Sequence, residues 1–128
     1  MSSYSVSTDL SRRLVLLTVS GFLDADTARR CIVDVDAAVA EVNRRVGPHV
    51  TLVDITAFQV QAQAVTDITR EYFATFTNKP LRLAIVTGAS DLVKMQTKRI
   101  LGSEPVAFFS DADAAKTWLA EAFDRRAA

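Results

Sequence analysis

Two short runs, Leu14-Val15-Leu16-Leu17-Thr18-Val19 and His49-Val50-Thr51-Leu52-Val53-Asp54-Ile55, are apolar at neighbouring positions rather than alternate ones. Side chains on a strand alternate between the two faces of its sheet, so each run reads as a central strand covered on both faces. Between them lies the strongest periodic signal in the chain. Ala25, Ala28, Ile32, Val35, Val39, Val42 and Val46 recur at spacings of three and four, the stripe of an amphipathic helix. Asp24 stands at its start as an N-cap. Arg44 and Arg45 complement the dipole at its end, Gly47 offers a left-handed cap and Pro48 blocks continuation. Asp26/Arg30 and Glu41/Arg45 lie four apart in the favourable acid-before-base order. Strands joined through a helix in this way are parallel, with a right-handed crossover.

The remaining elements extend the pattern. Tyr4, Val6 and Thr8 alternate with serines ahead of Asp9-Leu10-Ser11, which reads as the first arm of a β-hairpin with one polar side. Leu81–Val86 is a further short apolar strand, and Val65, Ile68, Tyr72 and Phe76 mark a helix before it that stops near Asn78 and Pro80. A third helix is expected from Ser90 to Gly102 on Leu92, Met95 and Ile100. Pro105 then introduces the strand Val106–Phe109, and Ser110 with Asp113 forms a capping box for a last helix carrying Ala115, Trp118, Leu119, Ala122 and Phe123. The expected fold is α/β, a five-stranded, mostly parallel mixed sheet in the order β-β-α-β-α-β-α-β-α, with residues 1–128 forming one domain.

Charge and composition narrow the function. Fifteen basic and fifteen acidic side chains cancel, leaving no net field to attract nucleic acid or an anionic membrane. No apolar stretch approaches the ~18 residues of a membrane span, and Met1-Ser-Ser-Tyr-Ser does not open a secretory signal, so a cytoplasmic protein is expected. Cys31 is the only cysteine and sits beside the helical stripe, where it reads as a small buried hydrophobe.

In open parallel sheets ligands lie beyond the carboxyl ends of the strands. Here those ends are Gly21–Asp24, Asp54–Thr56, Thr87–Ser90 and Ser110-Asp111. They hold small polar and acidic groups without Lys, Arg or His, so a phosphate would lack a cationic partner. Thr87-Gly88-Ala89-Ser90 is similar to the start of a dehydrogenase nucleotide loop, but it lacks the later glycines that let backbone approach a pyrophosphate. No cofactor and no metal are expected. His49 has no nucleophile or second ligand at suitable spacing and reads as an exposed or capping histidine. The pairs Asp34/Asp36 and Asp111/Asp113 read as helix positions rather than acid–base carboxylates. Asp54, a carboxylate near the end of an apolar strand, reads either as a cap for the following turn or helix or as a binding residue, and the ligand- or partner-binding candidates are Asp54, Thr56, Thr87, Ser90 and Ser110. Lys94, Lys98 and Arg99 read as a solvated helix face.

The hairpin, Thr51-Leu-Val-Asp54-Ile55, Leu83-Ala-Ile-Val86 and Phe108-Phe-Ser-Asp-Ala-Asp-Ala-Ala115 with Trp118-Leu119 together resemble the STAS domain of sulfate transporters and anti-sigma factor antagonists. They resemble more closely its small, uncharacterised bacterial relatives grouped with CRAL-TRIO lipid-transfer domains. The loop after the third strand in anti-sigma factor antagonists carries Asp-Ser-Ser/Thr-Gly, whose hydroxyl is phosphorylated to switch partner binding. Here the segment reads Asp54-Ile-Thr56-Ala-Phe-Gln-Val-Gln61, without Ser or Gly, which leaves Thr56 as the phospho-acceptor the resemblance implies.

The resemblance also implies helices gathered largely on one face of the sheet. With strands apolar on both sides, the other face would then expose a large apolar patch, so a homodimer covering it is expected. Functionally the chain reads as a non-enzymatic protein-interaction or regulatory module. The alternative is a carrier of a small lipophilic ligand, suggested by the CRAL-TRIO tie and by Phe58, Tyr72, Phe73 and Phe76.

Overall fold

The computed structural model describes residues 3–21, 24–56, 67, 68, 70, 71, 80–87, 95 and 106–123. Strands β1 (Ser3–Asp9), β2 (Leu14–Ser20), β3 (Val50–Asp54), β4 (Leu83–Val86) and β5 (Val106–Phe109) form one sheet in sequence order. β1 is antiparallel to β2, and β2 through β5 are parallel. This is the expected mixed sheet, with the hairpin supplying the edge.

Helix α1 (Ala25–Val46) has the bounds its stripe dictates, with Ala28, Cys31, Val39 and Val42 buried. The Asp24 carboxylate accepts from the Thr27 N–H at 2.7 Å, satisfying one of the donors a helix start leaves free. Gly47 ends the helix at φ 89°, ψ −149°, a region open essentially to glycine but outside the left-handed cap expected of it. Glu41 and Arg45 pair at 3.0 Å, whereas Asp26 meets Arg29 at 3.5 Å. Arg30, its expected partner, donates instead to the Thr27 hydroxyl.

The strand registers sort the core onto two faces. Val15, Leu17 and Val19 share one face with Val53, Leu83 and Ile85, and α1 packs there through Val39 and Val42. Ile68, helical in the structure, packs on the same face. Leu14, Leu16, Val50, Leu52, Ala84 and Val86 take the opposite face. Helix α2 (Ala112–Ala120) covers them with Ala115 and Leu119, both nearly fully buried.

This corrects the expectation of an uncovered apolar face. The C-terminal helix lies opposite α1 and shields the apolar strands from water, so no second copy is needed for that purpose. What α2 does not reach is polar: Ser5, Ser7 and Thr18 are exposed where β1 and β2 leave its shelter.

Local corrections follow from backbone geometry. The α2 N-cap is Asp111, whose carboxylate accepts from the Ala114 N–H at 2.9 Å, so the expected Ser110/Asp113 box is displaced by one residue. β4 begins at Leu83, and Leu81 is 46% exposed. Met95 is helical but 54% exposed, not apolar-side packing. His49 is buried rather than exposed. Tyr72, Phe73, Phe76, Leu92, Ile100 and the Lys94/Lys98/Arg99 stripe lie outside the described residues, as does Phe58.

Candidate functional site

The parallel strands deliver their carboxyl ends to one rim. The pairing of Thr18 with Asp54 and of Asp54 with Val86 sets the Asp54 side chain on the α2 face at the last rung of the sheet. Its carboxylate accepts from the Thr56 N–H at 3.0 Å. Asp54 thus closes a local turn, the role its residue type favours two positions ahead of a free amide. The turn leaves Thr56 exposed and Asp54 half-buried. Ile55 is pinned behind it, buried and donating its N–H to the Val86 carbonyl at 2.9 Å.

The other candidates separate. Thr87 donates its N–H to the Phe109 carbonyl at 3.0 Å but is only 4% exposed, which removes it from the solvent-facing rim. Ser110 is exposed beside Asp111, whose carboxylate serves the first turn of α2. Ser90 lies outside the described residues. Of the hydroxyl candidates within the described residues, Thr56 and Ser110 are therefore the ones left exposed. Among the described residues these strand ends hold no Lys, Arg or His, and among the described residues no three His, Cys, Asp or Glu side chains gather to hold a metal.

Buried titratable groups lie elsewhere. Burial, with Asp34 nearby, pushes the Cys31 thiol up to about 11, which keeps it protonated and unreactive. His49 is 1% exposed, and its Nδ1 lies 2.8 Å from the Asn43 Oδ1. Its Nε2 is buried without a hydrogen-bond partner, and burial holds its pKa below the ordinary imidazole value. The Tyr4 hydroxyl donates to Asp34 at 2.6 Å, tying the sheet edge to α1, and that bond raises the tyrosine pKa.

The opposite, amino end of the sheet holds a groove of about 870 Å³ that sequence reasoning missed. Its floor is apolar, with Leu14, Val50, Leu81, Leu119 and Phe123, and Arg12, Arg13 and Lys116 stand along its walls. The hairpin turn makes one wall. Arg13 closes the short 3₁₀ turn Leu10–Arg12 in a left-handed conformation at φ 53°, and its carbonyl accepts from the Val50 N–H at 2.9 Å. The end of α2 makes the other. Arg82 holds it by donating to the Trp118 carbonyl at 2.6 Å while its guanidinium stacks 4.8 Å from that indole. These residues are remote in sequence and meet only because adjacent parallel strands start at one end. The legible signal was Leu81, an apolar residue beside Pro80 ahead of its strand.

No family model matches the chain, and no curated protein matches it. Among solved structures it is similar to an uncharacterised protein of the DUF3478 family from Shewanella loihica PV-4, described as having a SpoIIAA-like fold. The two share 17% identity and superpose with a TM-score of 0.71 over 93% of this chain and 95% of the other. A likeness at that identity shows the fold alone. It supports the STAS-like fold implied by the resemblance seen in the sequence, and nothing in it supports the CRAL-TRIO side. The chain has an α/β, SpoIIAA-like fold.

Proposed function

We propose that the protein is a non-enzymatic interaction module that meets a regulatory protein partner through the rim around Asp54 and Thr56. One observation carries the reading: Asp54 spends its carboxylate on the Thr56 amide, and the turn so formed holds the threonine side chain out to solvent. A carboxylate bound to backbone is a structural anchor rather than an acid or base, and a presented hydroxyl on a rigid sheet end suits recognition. Phosphorylation of Thr56 would set about −2 charges beside Asp54 and change what the rim can bind.

Photo-crosslinking in the native host tests this, with p-benzoylphenylalanine replacing Thr56 in one strain and the exposed Val33 of α1 in another. A discrete protein adduct from position 56, absent from position 33 and lost in an Asp54→Ala background, supports the rim. No adduct from position 56, or the same adducts from both positions, refutes it.

The amino-end groove favours a second reading, carriage of a small lipophilic ligand. It ranks lower because the groove is open to solvent, and a hydrocarbon chain held there would remain partly wet.

A further inference from the structure

The groove at the amino end of the sheet combines three features that the rim lacks. Its floor includes Leu81, one of the large hydrophobic side chains the fold leaves exposed, at 46%. Its walls carry a surplus of positive charge. Of the lining cations, Arg12 is matched by Asp9 at 3.6 Å, but among the described residues Arg13 and Lys116 have no carboxylate partner. Finally, the Arg13 guanidinium is braced 5.3 Å from the Phe123 ring, which pre-orders a flexible cation at the groove edge.

We propose that this groove docks an acidic amphipathic segment of a partner protein, whose apolar side chains lie on Leu81 and Phe123 and whose carboxylates meet Arg13 and Lys116. The apolar floor argues against a nucleic acid or free phosphate, which would gain nothing from burying it. The open side argues against an acyl chain, which needs enclosure, whereas a peptide shields its apolar face with its own backbone and polar side. The surface is separate from the rim, so this inference goes beyond the reading above and stands or falls independently of crosslinking at position 56.

The test is to pan a phage-displayed random peptide library on the immobilised full chain. Enriched peptides are resynthesised with fluorescein and titrated by fluorescence anisotropy. The expected sequences carry Asp or Glu flanking Leu, Phe or Trp, and their affinity falls as salt rises. Two variants separate charge from apolar contact. Arg13→Gly with Lys116→Glu removes the cations while glycine suits the left-handed backbone at φ 53°; Leu81→Ser removes an anchor that is not core. Each should raise Kd by at least about tenfold, roughly the effect of losing one well-placed contact, with the far-UV spectrum and melting temperature retained. Enrichment of basic or uncharged sequences, no enrichment, or equal binding by Leu81→Ser and wild type overturns the proposal. So does tighter binding of the probe dodecanoate in competition with the peptides, which would assign the groove to an anion-headed amphiphile. Self-association abolished by the Arg13/Lys116 variant would assign it to a second copy and overturn the proposal equally.

Discussion

Truncating Leu119 to alanine interrogates the face of the sheet that the last helix covers. Leu119 is 2% exposed and joins the cluster of Leu14, Val50, Leu52, Ala84 and Val86. Removing a fully buried leucine forfeits its transfer free energy and leaves a cavity that a rigid sheet cannot collapse into, together about 3 kcal/mol. The neighbours here are strands held by their own hydrogen bonds, so relaxation should recover little of this. For a chain of this size that loss lowers the melting temperature by roughly 10 °C. Chemical denaturation followed by circular dichroism measures the difference directly, with Leu81→Ala as the exposed reference, expected to change stability by no more than about 0.5 kcal/mol. If Leu119→Ala costs less than about 1 kcal/mol, the helix does not seal this face and the packing described above is wrong.

Further outcomes follow from single groups. His49 is buried with a depressed pKa, so the folded chain binds its proton less readily than the unfolded chain does. Its contribution is therefore complete above the unfolded value of about 6.5 and is lost as pH falls below that toward the lower folded value; urea midpoints between about pH 7.5 and pH 5.5 should decline in the wild type and flatten in His49→Gln. Gly47→Ala forces a Cβ into a backbone region at φ 89°, ψ −149° and should cost about 1–3 kcal/mol by the same denaturation assay, despite open space around the site. Cys31, buried with its thiol raised to about 11, should react with a thiol reagent at neutral pH only under denaturing conditions, and rapid labelling of the native chain would contradict its placement.

The sheet was legible because its signals are local. Fully apolar strands, an Asp24 cap and a Gly47-Pro48 stop each act within a few residues, and α1 occupies the span they mark. The covering of the second face was not, because nothing near Ala115 and Leu119 says on which side of β3 and β4 they will pack. His49 was misjudged for a related reason: its neighbour Pro48 is exposed, but the buried imidazole meets the Asn43 side chain, six residues back in the last turn of α1. At the site, Asp54 stood out as the polar end of an apolar strand, and its partner Thr56 is two residues away. The groove drew Arg13, Leu81 and Lys116 from three distant segments, which no spacing pattern connects.

Both faces of the sheet carry the chain's own helices, an arrangement that would let the chain fold without help from a neighbour. Thermal melts over a wide dilution series, read by circular dichroism at the high end and intrinsic fluorescence at the low end, test this most directly. A melting temperature that stays constant on dilution is the expected result. A melting temperature that falls steadily as the protein is diluted, the signature of folding coupled to assembly, would mean that another molecule completes the core.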